Sequence, residues 1–180
     1  MRIITGKYKG RNLLTVDGRT TRPTTAYNRA MIFNVYSDLA GKRVLDLFAG
    51  TGFYGLEALS CGAEWVDLVE FATPAVAVIL KNVALLGCGD DCHVWRKRAD
   101  AFLKGTDTRW DVIFLDPPYA KNLLNPCLDL IYQRGLLLPG GVAIAEHSPQ
   151  EPVAEAYQEL VLKVKTGRSS CFTLLRAEEK

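Results

Sequence analysis

Apolar and polar positions alternate in blocks along this chain, and the blocks switch between two periods. Short apolar runs rich in β-branched and aromatic residues, at 43–48, 65–70, 92–96, 111–115 and 142–146, read as buried strands. Between them apolar residues recur every three or four positions, which predicts helices at 53–61, 73–86, 99–104 and 122–133. Ahead of this alternation, apolar stretches at 2–5 and 12–16 flank a glycine-bounded turn, the pattern of a β-hairpin. A helix follows, opening at Pro23-Thr24 with proline in its first turn and running to about Asp38. At the other end a short helix near 151–156 precedes two strands around 158–165 and 170–176.

Alternation of strands with helices implies an α/β fold, a mainly parallel sheet covered on both faces, and the tight final pair adds an antiparallel edge. The 180 residues, 48% of them hydrophobic, are expected to form a single domain (1–180), with a Rossmann-like core at 41–180 and an N-terminal hairpin and helix extension at 1–40.

The strand at 111–115 runs into Asp116-Pro117-Pro118-Tyr119. Two prolines cannot continue a ladder, so Asp116 sits at a strand's carboxyl end, the edge where open α/β sheets bind ligands. An exocyclic amine on a nucleobase is a poor nucleophile, because its lone pair is delocalised into the ring. Methylating it requires acceptors for its hydrogens and a fixed line to the methyl donor. Asp116 and the Pro117 carbonyl supply acceptors, Pro118 stiffens the turn, and Tyr119 offers a face on which a base stacks. Such a turn serves the amine of adenine or of guanine.

Upstream, the strand ending in Asp46 leads into Phe48-Ala49-Gly50-Thr51-Gly52 and on to Gly55, a glycine-rich turn opening a helix. Glycines at 50, 52 and 55 permit positive φ and close backbone approach to a ligand. An acid inside the first strand distinguishes this loop from a nicotinamide fingerprint: Asp46 suits the ammonium and sulfonium of S-adenosylmethionine, which carries no pyrophosphate. Glu70, about twenty residues on, stands where this topology places the ribose ligand. Asp100, after the third strand, is placed to take the adenine amino group.

The formal net charge of +2 conceals an asymmetry, since residues 1–43 hold nine basic and two acidic side chains. A basic arm on a mildly acidic body points to a polyanion. Arg2, Lys7, Tyr8, Lys9 and Arg11 are the hairpin's candidates for RNA contact, with Arg22 and Thr24 beyond it. The five cysteines are an odd, scattered set, which argues for reduced thiols, and no metal site is expected. No stretch of 18 apolar residues and no signal-like start is present, so the expected location is the cytoplasm.

Four stretches together resemble one family: 1–11, Thr21-Arg22-Pro23-Thr24-Thr25 with Phe33-Asn34, the loop from Asp46 to Gly55 with Leu56-Glu57-Ala58-Leu59, and Leu115 through Tyr119. They resemble the RsmD-type bacterial 16S ribosomal RNA (guanine-N2)-methyltransferases over nearly the whole chain. The resemblance implies a class I S-adenosylmethionine-dependent methyltransferase fold, seven strands with the last antiparallel. It implies methyl transfer to the N2 of one guanine in 16S ribosomal RNA, alone or within a partly assembled small subunit. By the same likeness Asp46, Gly50 and Gly52 hold the methionine part, Glu70 the ribose, Asp100 and Ala101 the adenine. Asp116, Pro117 and Tyr119 hold the guanine, and Arg22 and the hairpin guide the RNA. The alternatives are adenine-N6 methylation of DNA or RNA, and a non-catalytic RNA-binding assembly factor.

Overall fold

A computed structural model describes residues 1–16, 26–167 and 170–178, the side chains of 26–29 excepted. Its strands are β1 (Arg43–Asp46), β2 (Trp65–Glu70), β3 (Cys92–Arg96), β4 (Trp110–Leu115), β5 (Leu137–His147), β6 (Val161–Thr166) and β7 (Cys171–Arg176). The helices are α1 (Ala26–Val35), α2 (Phe53–Ser60), α3 (Thr73–Leu86), α4 (Ala99–Gly105) and α5 (Leu124–Gln133). All seven strands join one sheet in the order β3-β2-β1-β4-β5-β7-β6. Pairing is parallel from β3 through β5, and β7 runs antiparallel to both its neighbours. The expected antiparallel pair is therefore present, with the reversed strand β7 inside and β6 outermost. Lys163 and Lys165 on that exposed strand are charges of the kind that discourage edge-to-edge pairing.

Side chains of successive strand residues point to opposite faces, so each apolar run feeds two cores at once. Val44, Val66, Leu68, Val112, Phe114 and Ile144 pack under α1, α2 and α3. Leu45, Val69, Ile113, Leu115, Ala143 and Ala145 pack under α4 and α5. On that second face the carboxylate of Asp67 accepts two indole N–H groups, from Trp95 at 2.8 Å and Trp110 at 2.9 Å, tying β2 to β3 and β4. Strand order reverses between β1 and β4, so the connections leaving those strands diverge and open a crevice at their carboxyl ends. All eight residues of α2 are buried. Gly55 makes that packing possible, because a Cβ there would lie 2.8 Å from Leu68 and Val66 side chains.

Several element boundaries differ from the sequence expectation. The predicted start of α1 at Pro23-Thr24 lies outside the described residues, and the helix ends at Val35, short of Asp38. β5 begins at Leu137, with a register shift opposite 110–112, where Pro139-Gly140-Gly141 reads as a turn. Residues 155–160 wind into a 3-10 turn, displacing the short helix expected near 151–156 and delaying β6 to Val161.

The N-terminal hairpin is present: Arg2 bridges Asn12 antiparallel, and the N–H groups of Ile3, Gly10 and Leu13 donate to the carbonyls of Arg11, Ile3 and Met1. Others of its backbone donors turn to α2. Ile4 and Thr5 N–H groups both donate to the carboxylate of Glu57 on α2, at 2.8 and 2.7 Å, and Tyr8 N–H donates to Ser60 Oγ at 2.9 Å. Those positions are committed to α2 and cannot pair across the hairpin. Gly6 lies so close that a Cβ would fall 1.7 Å from the Ser60 carbonyl oxygen. All five cysteines are free thiols. Among the described residues no helix is long and apolar enough to cross a membrane.

Candidate active site

The carboxyl ends of β1, β2 and β4 meet in the crevice. β1 stops at Asp46, and Phe48 turns the chain with φ 126°, a sparsely populated conformation for a residue with a side chain, of the kind that concentrates at functional sites. Gly50 at φ 57° and Gly52 at φ 83° complete the loop, and Gly52 caps α2. Three side chains hold this loop from outside it. Glu70 accepts from Gly50 N–H at 2.9 Å and from Ala72 N–H at 2.7 Å. Asp46 accepts from Gly55 N–H at 2.9 Å. Asn82 on α3, fully buried, donates to the Thr51 carbonyl at 3.0 Å, and it also exchanges two hydrogen bonds with the backbone of Leu14.

Asp46 is only 1% exposed. Burial pushes its carboxyl up to about 7, the nearby Glu70 charge adds to the rise, and the Gly55 N–H opposes it. An acid poised near neutrality beneath a backbone cradle is suited to a cationic group, whose arrival would favour the ionised form. Asp100 lies in the first turn of α4, 3.1 Å from Arg98 and nearly half exposed. Slight burial raises its pKa, but the Arg98 hydrogen bond and charge, with the Ala101 N–H, outweigh this and hold it below the usual carboxylate range.

One strand over, Asp116-Pro117-Pro118-Tyr119 leaves the end of β4 as an irregular turn. Asp46 is in register with Phe114, so this turn begins two residues beyond Asp46, level with Phe48 at the start of the glycine loop. The Tyr119 hydroxyl donates to Glu146 Oε1 at 3.4 Å, and the Tyr54 hydroxyl donates to Glu146 Oε2 at 2.6 Å. Past the turn, Ala120 at φ 58° and Asn122 at φ 50° adopt left-handed backbone, and Glu151 accepts from both of their N–H groups. Those bonds hold the Glu151 carboxyl below its ordinary range. Beside the turn lies a cavity of about 400 Å³, walled by Pro117, Pro118 and Tyr119 on one side and by His147, Ser148 and Glu151 on another.

The structure thus brings Asp46, Phe48, Ala49, Gly50, Thr51, Gly52, Gly55 and Glu70 to one edge together with residues 116–119. The hairpin residues are elsewhere. Their tip docks on Ser60, at the opposite end of α2 from the glycine loop, about 12 Å away at 1.5 Å per residue. Lys7 pairs with Asp91 at 3.5 Å and lies over the Tyr8 ring, Arg11 donates to the Leu85 carbonyl at 2.6 Å, and Arg2 donates to Asn12. Lys9 is exposed. Arg22 and Thr24 lie outside the described residues.

Sequence reasoning missed Tyr54, Asn82, Glu146 and Glu151. Glu146 carries a signal, an acid inside the otherwise apolar end of a buried strand. Asn82 is a polar residue on the inward face of an amphipathic helix. Glu151 sits in a Pro-flanked loop and has no such mark.

The family described as Conserved hypothetical protein 95 matches residues 1–175. The chain is 38% identical over 171 residues to "Putative rRNA methyltransferase YlbH" of Bacillus subtilis, covering 92% of each. It is 36% identical over 138 residues to the Ribosomal RNA small subunit methyltransferase D of Escherichia coli, covering 76% of this chain and 69% of that one. Among solved structures, "Putative methyltransferase yhhF from Escherichia coli" superposes with a TM-score of 0.88 at 30% identity over 100% of this chain and 99% of the other. The Thermus thermophilus 16S rRNA N2 G1207 methyltransferase RsmC, solved with AdoMet and guanosine, shares the fold at TM-score 0.69 and 20% identity over 90% of this chain and 44% of that one. The sheet is that of the class I S-adenosylmethionine-dependent methyltransferases, and the chain belongs to the family of the ribosomal RNA small subunit methyltransferases D.

Proposed function

We propose that this protein transfers a methyl group from S-adenosylmethionine to the exocyclic N2 amine of a guanine in 16S ribosomal RNA. The observation that carries the reading is the adjacency of two strand ends. The glycine loop after β1 and the Asp116 turn after β4 leave neighbouring parallel strands, about 4.8 Å apart, at the switch point of the sheet. A donor bound on the first loop and an amine held by the second are within reach of each other.

The residues present fit the cofactor. A buried acid with its pKa near neutrality, Asp46, stands beneath a loop whose glycines leave the backbone bare, and Glu70 stands at the end of the next strand. Asp46, Phe48, Ala49, Gly50, Thr51, Gly52 and Gly55 would hold the methionine end, Glu70 the ribose, and Asp100 with the Ala101 backbone the adenine. The cofactor supplies an electrophilic methyl group. Asp116 and the Pro117 carbonyl accept the hydrogens of the target amine and hold its lone pair in line. Asp116 then assists loss of the proton that the nitrogen sheds. Tyr119 stacks on the base, worth about 1–3 kcal/mol, which offsets part of the cost of unstacking it from the RNA.

Small-subunit ribosomal RNA as substrate is supported by the names of the relatives and by the basic N-terminal arm. Guanine N2 is supported by the family resemblance, since the turn alone serves adenine as well. The protein would act in the cytoplasm, on RNA alone or in a partly assembled subunit. The test is transfer of labelled methyl to small-subunit particles from cells lacking the gene, followed by nucleoside analysis. Label in N2-methylguanosine is the expected result, and label in N6-methyladenosine would reverse the choice of base.

A further inference from the structure

Glu146 is 2% exposed, yet it stands at the carboxyl end of β5 beside the catalytic turn. Leu115 is in register with Ala145, so the next residue on each strand sets Glu146 alongside Asp116. A carboxylate this deeply buried is costly unless hydrogen-bonded, and its two oxygens are engaged by phenols from different parts of the fold. Tyr54, from the first turn of α2, donates to one at 2.6 Å, and Tyr119, from the catalytic turn, donates to the other at 3.4 Å.

The Tyr54 ring has no room to swing. It stacks on Phe114 at 5.3 Å and 14° and on Phe33 at 6.2 Å and 29°, and meets Phe53 edge-on at 5.6 Å. Its hydroxyl is therefore a fixed point, and it fixes one oxygen of Glu146. The other oxygen accepts from Tyr119 and gives that side chain a direction. Two prolines before Tyr119 lock the backbone that leads to it, so the side-chain torsions are the freedom that remains. The 3.4 Å separation is long for O–H···O and matches site contacts that tighten only when substrate is bound.

We propose that Glu146 is a positioning residue that sets the Tyr119 ring against the target base, with Tyr54 holding Glu146 in place; this rests on the reading of residues 116–119 as the base-binding turn. Tyr54 follows Gly52 by two residues, so the chain of hydroxyls links the donor loop to the acceptor turn. Ring placement, and with it productive binding of the RNA, depends on a residue in the donor-side helix.

The test uses the full-length protein, S-adenosylmethionine, and small-subunit particles from cells lacking the gene. Glu146→Gln and Tyr54→Phe are each expected to raise KM for the particles about tenfold, less than the roughly hundredfold cost of a full 1 Å misplacement, while cofactor affinity by calorimetry stays within about twofold. Tyr119→Phe should behave alike, and Glu146→Gln combined with Tyr119→Phe should be no worse than the poorer single variant. The ¹³Cζ resonance of Tyr119, read without any reaction, should shift in Tyr54→Phe, because both hydroxyls donate to Glu146. Multiplying effects in the double variant, an unmoved Tyr119 resonance, or a loss confined to cofactor affinity would overturn the proposal. Should Glu146→Gln fail to fold, Tyr54→Phe keeps the ring and its stacking and carries the test alone. A wild-type protein that methylates no RNA, with the Tyr119 resonance still shifting in Tyr54→Phe, would sink the reaction assigned above and leave the positioning intact.

Discussion

The two halves of the crevice are built on opposite plans. On the side proposed to hold the donor the acids point inward: Asp46 and Glu70 accept from the backbone of the glycine loop and its flank, and Asn82 ties the same loop to α3. That half is shaped before any ligand arrives. On the side proposed for the acceptor the turn opens onto a 400 Å³ cavity, and the segment beyond it is held in left-handed backbone by one carboxylate, Glu151. A small, constant cofactor rewards a preorganised cradle, whereas a base presented by a large RNA needs a mouth that admits it. The Tyr54, Glu146 and Tyr119 contact is where the rigid half reaches into the open one.

The strongest way to separate the halves is to remove the acid of the open one. Asp116→Ala is expected to lower methyl transfer by about a thousandfold, the scale for loss of a group that acts on charge developing in the transition state, while cofactor affinity by calorimetry is retained. Equal losses of both would erase the division.

Asp46→Asn should do the reverse, weakening cofactor binding by about 1.5–3 kcal/mol, the range for a hydrogen bond to a charged group. It also carries a pH signature. The pKa of Asp46 rises to about 7 on folding from about 3.9 in an unfolded chain, so its stabilising contribution is complete below about pH 4 and is lost as pH rises through 7. Chemical denaturation of the ligand-free protein should therefore show wild type losing stability relative to Asp46→Asn across that window. Cofactor affinity of the wild type should climb through its upper part, because a cationic ligand binds the ionised form. Parallel curves for the two proteins would place the raised pKa elsewhere.

Smaller effects probe the mouth and the far end. Glu151→Ala frees Ala120 and Asn122, and a rise of about threefold to tenfold in KM for RNA, without change in cofactor affinity, is expected from steady-state kinetics. Lys9→Ala should leave turnover on saturating RNA unaltered and reduce the log–log salt slope of RNA binding by about 0.7, the value for one phosphate contact on a single strand. An unchanged slope would mean that the RNA does not extend along α2 to the hairpin.

Much of this was legible in the sequence because buried parallel strands announce themselves. β1, β2 and β4 are covered on both faces and read as mainly apolar runs, and the motifs at their ends follow by adjacency. The loop glycines and Asp116 could be found for the same reason. β5 was half hidden, because Pro139-Gly140-Gly141 looks like a turn when read locally and only the pairing with β4 carries the strand through it. The hairpin was legible but its docking was not, since nothing local tells that Glu57 and Ser60 on α2 would capture the backbone donors of Ile4, Thr5 and Tyr8. Glu146 escaped notice because its meaning depends on two tyrosines 92 and 27 residues away in sequence. Contacts of that range are set by the tertiary fold, not by any periodicity.

The central claim, an Asp116-dependent guanine-N2 methyltransferase of the small ribosomal subunit, is tested most directly by mass mapping of methylated nucleosides in 16S ribosomal RNA from cells lacking the gene and from the same cells complemented. One N2-methylguanosine should disappear with the gene, return with the wild-type copy, and stay absent with Asp116→Ala. Its return with Asp116→Ala, or the return of N6-methyladenosine in its place, would contradict the account.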